Sequence, residues 1–346
     1  MHPVAANADL SLVQGVIAQG LEEVTRRFEE QLRSDLPPVQ RLVSHIENYR
    51  GKMLRPTLVL ACGLASLPSL RRSVTPTLLA SHITCAAVCE MIHMATLVHD
   101  DVLDEADIRR RGQTVNRLHG NEAAVILGDY LLASAYHLCS QLDSQKVALL
   151  VAHTSMTLCA GELLQLSHRN DLSLDETTYF EIVDRKTASL VGLSCRLGAQ
   201  CSDADEDTAA RFERFGRKLG IAFQIQDDLL DLTGQTSTLG KPANQDVSAG
   251  KLTLPMIHHL ACIPPARRAE SLLLLESATR SSRSGTGPEA FARLRHSLDS
   301  SSSIAHARQT AERLIAEGKT ELAQIPDSTA RSLLLTMADA VITRTF

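Results

Sequence analysis

Apolar residues recur every three or four positions from near residue 9 to residue 344, and strand-like alternation is nearly absent. That periodicity confines the chain to helices. It predicts them over 9–33, 39–48, 54–66, 76–104, 120–141, 146–168, 175–200, 206–232, 253–262, 288–298, 302–320 and 328–344. Pro37-Pro38, Pro68, Gly112, Asp171, the stretch Ser202 to Asp207 and the stretch Gly234 to Gly250 punctuate them. A composition with 3% aromatic residues, no Trp and many Leu and Ala favours helix over sheet. No composition shift marks a boundary. The expectation is an all-α fold, one large domain over residues 1–346, with Ala278 to Pro288 as a mobile surface loop.

With 35 basic and 40 acidic side chains in 346 residues the net charge is −5, which argues against a nucleic-acid partner. Eight cysteines without a CxxC pair read as reduced core residues of a cytoplasmic protein. The N-terminus lacks a basic region followed by an apolar run. Leu78 to Val98 is long enough to cross a bilayer, but it contains His82, Glu90 and His93 and runs into Asp100-Asp101. It is expected to be a buried helix of a soluble protein, with no integral membrane segment.

The sharpest local feature is acidic. Asp100-Asp101-Val102-Leu103-Asp104 is echoed 127 residues later by Asp227-Asp228-Leu229-Leu230-Asp231, and each closes a long apolar helix. Positions i and i+4 share a helix face, so Asp100 pairs with Asp104 and Asp227 with Asp231. Carboxylates one turn apart repel. A hard cation relieves that repulsion, and all-oxygen ligands favour Mg²⁺ over Zn²⁺. Mg²⁺ held by few carboxylates completes its shell with water and phosphate oxygens, so a phosphate ester or diphosphate is the implied ligand. Nearby cations suit such a ligand: Lys52 and Arg55 at a helix start, Arg109-Arg110-Arg111, Lys186, and Lys241 and Lys251 flanking the loop after the second cluster. His93, Thr96, Asp100 and Asp104 form one helical stripe and Gln224, Asp227 and Asp231 another, both expected to face a common cavity. No GxxxxGK[ST], GxGxxG or GxSxG motif and no activated nucleophile is present, which points away from covalent catalysis.

The segments GKMLRP, LVHDDVLDEADIRR, GDYLLASA, GELLQL, RKTASL and FQIQDDLLDLTGQTSTLGKP followed by GKLTLP resemble the trans-isoprenyl diphosphate synthases, in order, over residues 40–345. The resemblance implies helices around a deep central cavity, usually in a homodimer. It implies head-to-tail transfer of an allylic diphosphate, farnesyl or geranylgeranyl, onto isopentenyl diphosphate, with about three Mg²⁺. Asp100, Asp101, Asp104, Asp227, Asp228 and Asp231 match the metal-binding motifs. Lys52, Arg55, His93 and Arg110 match the isopentenyl diphosphate site. Arg109, Lys186, Lys241 and Lys251 match the allylic diphosphate site, and Lys186, Thr187 and Gln224 match residues at the reacting carbons. The chain has Arg50 before Gly51 where the family often has glycine, and three arginines before Gly112 where it usually has two.

In that family bulky aromatics one turn below the first motif stop the growing chain early. Here the positions are Ala95 and Thr96, both small. The resemblance therefore implies the long-chain branch, with products of about thirty to fifty carbons as used in quinone side chains, and transient membrane contact at product release. The alternatives are a short-chain synthase, a terpene cyclase on the same fold, a non-catalytic subunit of a heteromeric synthase, and a helical scaffold. The two complete aspartate motifs and the GKMLRP segment argue against the last three.

Overall fold

The computed structural model describes residues 3–46, 49–67, 77–109, 112–233, 245–281 and 287–343. They are helical almost throughout: α1 (Pro3–Leu32), α2 (Pro37–Ile46), α3 (Leu54–Ser66), α4 (Ala80–Leu103), α5 (Val115–His119), α6 (Asn121–Ser140), α7 (Gln145–Ser167), α8 (Glu176–Val183), α9 (Ser189–Cys201), α10 (Glu206–Thr233), α11 (Gln245–Ser248), α12 (Leu254–Cys262), α13 (Pro265–Ser281), α14 (Gly287–Ser300), α15 (Ser303–Ala323) and α16 (Thr329–Thr343). The one sheet among the described residues is a two-residue antiparallel ladder, β1 (Ile108–Arg109) with β2 (Gly112–Gln113). The chain is all-α, as its periodicity demands.

Two compact units form. The first comprises Met1–Met156, Ser189–Arg217 and Gly318–Met337, and the second Thr157–Ala188, Lys218–Glu317 and Ala338–Phe346. Each passage of the chain between them falls inside a continuous helical run. In the first unit α3, α4 and α9 are packed tightly by small residues. A Cβ on Gly198 would collide with the Val59 carbonyl of α3, so only glycine lets those backbones approach.

Local chemistry sets the helix ends. Asp175 and Asp205 accept the Thr178 and Thr208 N–H groups at 2.8 and 2.7 Å, starting α8 and α10. At α4 the Leu79 N–H donates to His82 Nδ1 at 3.1 Å. That bond fixes the tautomer, so His82 Nε2 carries the proton and meets Ser202 Oγ at 3.0 Å.

Three helices are long and apolar enough to cross a membrane by length and composition: α4, α6 and α7. In α4, 72% of the apolar window is buried within the protein, together with Glu90 and Asp101, so packing consumes its apolar surface. Only 33% of the α7 window is buried. Leu149 and Met156 of α7 and Ile126 of α6 stand exposed.

The helix α13 was not legible in the sequence, because LLLL carries no period and Pro264-Pro265 reads as a break. Of the expected loop over 278–288, the described parts are helical: α13 runs to Ser281 and α14 starts at Gly287. Residues 282–286 lie outside the described residues.

Candidate active site

The first acidic motif closes α4. The Asp104 N–H still donates to the Asp100 carbonyl at 2.8 Å, so the two carboxylates sit one helical turn apart. Asp100 is half-buried and Asp104 exposed. Asp101, between them, is 1% exposed. Its carboxylate is fully engaged: Tyr49 Oη donates to Oδ2 at 2.8 Å, and Arg109 donates to Oδ1 from Nε at 2.8 Å and Nη2 at 2.7 Å. The Tyr49 hydroxyl in turn accepts the Val115 N–H at 3.0 Å. Burial, the largest influence, raises the Tyr49 pKa and keeps it a donor. Asn116 Nδ2 reaches the carbonyls of Asp101 and Ala106 at 3.2 and 3.1 Å, satisfying the end of α4. The segment between α2 and α3, the β-ladder and the start of α5 thus all converge on one aspartate.

The same unit holds the other first-motif candidates. Met53 has φ +53°, an uncommon left-handed conformation that turns the chain into α3 between exposed Lys52 and Arg55. Arg55 is half-buried, with its Nε out of reach of solvent. Burial lowers its pKa, and the carboxylate of Glu90, itself 3% exposed, opposes that. His93 is half-buried on α4. Thr96 Oγ1 donates to the His93 carbonyl at 2.7 Å, and Ala95 is buried. Arg110 lies outside the described residues.

The second motif lies on α10, in the other unit. Asp228 is 5% exposed and repeats the pattern of Asp101. Tyr179 Oη donates to its Oδ2 at 2.6 Å and Gln224 Nε2 to its Oδ1 at 2.8 Å. Burial first, then nearby Asp246, pushes the Asp228 carboxyl well above the usual range. The Gln224 carbonyl accepts from Thr187 Oγ1 at 3.1 Å, so Thr187, Gln224, Asp228 and Tyr179 form one chain of hydrogen bonds. Asp231 accepts the N–H groups of Gln245 and Asp246, one on each oxygen, both at 3.1 Å. Asp227 is half-buried.

Lys186 and Thr187 sit on a π-helical turn, Asp184–Ala188, inserted between α8 and α9, where the sequence suggested plain α-helix. A Cβ on Gly161 would come within 2.6 Å of the Lys186 nitrogen, so glycine in α7 lets that turn approach. Lys186 Nζ then meets Gln165 Oε1 at 2.8 Å and the Glu162 carboxylate. Lys251 follows α11 in the same unit, and Lys241 lies outside the described residues.

Asp101, Asp228 and Asp231, expected from the sequence among the metal ligands, each have both carboxylate oxygens bonded to protein donors here. Arg109, expected on the allylic diphosphate, has its guanidinium on Asp101. Sequence reasoning missed Tyr49 and Tyr179. Their signal was scarcity, since the chain has only four tyrosines and these two are buried. Among the described residues no three His, Cys, Asp or Glu side chains form a metal-binding group. The donors present are carboxylate oxygens, few per unit. They fit a hard divalent cation that draws most of its shell from water and phosphate.

Residues 37–285 match the family described as Polyprenyl synthetase. The chain is 30% identical to an Escherichia coli protein named octaprenyl diphosphate synthase, over 97% of this chain and 99% of that one. It is 30% identical to a Bacillus subtilis protein named heptaprenyl diphosphate synthase component 2, over 94% and 88%. A crystal structure of a Caulobacter crescentus polyprenyl synthase, complexed with calcium and isoprenyl diphosphate, superposes with a TM-score of 0.86 at 30% identity, covering 97% of this chain and 98% of that one.

Proposed function

The chain belongs to the polyprenyl synthetase family, and from that premise we propose that it extends an allylic diphosphate by successive additions of isopentenyl diphosphate to a long-chain all-trans product. It is a prenyltransferase. The observation that carries the reading is the matched bracing of the two motifs. In each, the second aspartate is buried against a tyrosine hydroxyl and its neighbours remain at the surface of the helix. We assign Asp100, Asp104 and Asp227 to the cation, and Asp101, Asp228 and Asp231 to holding the motifs in shape.

Mg²⁺ bound there would neutralise charge on the departing diphosphate. The chain's own residues do the rest. Lys186, with Lys241 and Lys251, binds the allylic diphosphate, and Lys52, Arg55, His93 and Arg110 bind isopentenyl diphosphate. The allylic C–O bond breaks and the diphosphate leaves with the electron pair. Oxygens of Thr187 and Gln224 lie beside the allylic cation, the isopentenyl double bond attacks it, and the released diphosphate takes the proton that is lost. Apolar side chains exclude water. Ala95 and the internally bonded Thr96 leave the tail a path of low polarity, which supports a product of about thirty to fifty carbons.

A homodimer in the cytoplasm supplying quinone side chains completes the proposal. Exposed Ile126, Leu149 and Met156 support a second copy, and eight unpaired cysteines support a reducing compartment. The test is incubation of the purified chain with Mg²⁺, isopentenyl diphosphate and farnesyl diphosphate, followed by product sizing. Products of thirty carbons or more are expected. A stop at fifteen or twenty carbons would assign the short-chain branch, and inactivity without a second subunit would assign a component of a heteromeric enzyme.

A further inference from the structure

Six of the eight cysteines lie in the first unit: Cys62, Cys85, Cys89, Cys139, Cys195 and Cys201. They are not equivalent. Cys62, Cys89 and Cys195 are fully buried, and burial pushes the Cys89 thiol up to about 12. Cys85 of α4 and Cys201, the last residue of α9, lie with their sulfurs 3.6 Å apart, although 116 positions separate them in sequence. Cys85 is 1% exposed, whereas Cys201 is only partly buried. The contact with Cys85, its largest influence, lowers the Cys201 thiol, and Ser81 adds to this against the effect of burial. The same contact, and then burial, raises Cys85. One partly buried cysteine in sulfur contact with one sealed cysteine is the arrangement of an attacking and a resolving cysteine.

We propose that Cys201 and Cys85 are a redox modification site, oxidised by a low-molecular-weight disulfide such as oxidised glutathione to an internal disulfide that ties α4 to the end of α9. The Cys201 thiolate attacks one sulfur of the glutathione disulfide, whose S–S bond breaks, and one glutathione thiol departs. Cys85 then attacks the mixed disulfide at Cys201 and the second glutathione thiol departs, taking the Cys85 proton. The two cysteines lose two electrons, and one glutathione disulfide becomes two thiols. A disulfide needs the sulfurs about 1.5 Å closer than they stand. Cys201 can supply that movement, because the helix ends there and the chain turns at Asp203 with φ +60°. The other touching pair, Cys62 with Cys195, has no accessible member.

The experiment uses the full chain carrying Cys159→Ser and Cys262→Ser, which removes the two exposed cysteines of the second unit. After oxidised glutathione, a non-reducing digest should yield one linked peptide pair containing Cys85 and Cys201, lost on reduction. In Cys85→Ala the reaction should stop at one glutathione adduct on Cys201. In Cys201→Ser, a change at a partly buried helix end, neither adduct nor link should form. A link through any other cysteine would overturn the proposal, as would no link at all, or glutathione on Cys85 in the Cys201→Ser chain.

Discussion

The two aspartate motifs solve one problem with different partners. Each must hold surface carboxylates steady at the end of a long helix, and each does so by burying its second aspartate against a tyrosine hydroxyl. Around Asp101 the remaining oxygen goes to the guanidinium of Arg109, so the anchor is an ion pair. Around Asp228 it goes to the neutral amide of Gln224, one turn earlier on the same helix. The first anchor ties together segments before and after its helix, through Tyr49, Arg109 and Val115. The second extends to the π-helical turn, since Gln224 also holds Thr187. The difference teaches that the repeated sequence pattern specifies where carboxylates stand, while the surrounding chain decides whether the anchor is charged.

The comparison breaks first at the cation. Asp100→Ala and Asp227→Ala are each expected to lower turnover by about 10³-fold or more with helicity unchanged by circular dichroism. Near-normal turnover in either would dissolve the equivalence of the motifs. Next come the anchors. Asp101→Ala strands the half-buried Arg109 guanidinium together with the Tyr49 hydroxyl and should cost about 2–4 kcal/mol in urea unfolding. Asp228→Ala strands only neutral donors and should cost about 1–3 kcal/mol. Equal losses would erase the distinction between them.

A pH titration separates the units by their buried histidines. His82 has its pKa lowered to about 4 by burial. An unfolded histidine binds protons below about 6.5, so stability is full above that pH and falls as pH drops towards 4, by about 3 kcal/mol. Burial also lowers His259 of the second unit, which sits between the Ser301 and Ser271 hydroxyls. His82→Gln should flatten the acid limb, measured by urea unfolding at several pH values. The smallest effect concerns what lies below each motif. The residue four before the first aspartate is Thr96 on α4 but Phe223 on α10. Ala95→Phe should shorten the product while costing about 1–3 kcal/mol from overpacking. Unchanged product length would remove α4 from the path of the tail.

Much of this was legible in the residues. Long apolar periods fixed α3, α4, α10 and α12 to within a few positions, because burial of a helix face is a local pattern. The DDVLD and DDLLD repeats announced the carboxylates. The division of labour within each repeat was not legible. All six aspartates look alike in sequence, and what separates Asp101 from Asp100 is a tyrosine 52 positions away. The two N–H groups that α11 places on Asp231 are likewise 14 and 15 positions away. The π turn at Lys186 was hidden because its apolar spacing continues that of the helices on either side.

The proposed function requires Asp100 and Asp227 to serve the same diphosphate. Calorimetry of an unreactive allylic diphosphate analogue with Mg²⁺, on Asp100→Ala, Asp227→Ala and the double variant, tests it most directly. Motifs that share the ligand should couple by about 1–3 kcal/mol, so that the double variant loses less than the sum of the single losses. Losses that add to within about 0.5 kcal/mol would mean that the motifs act apart.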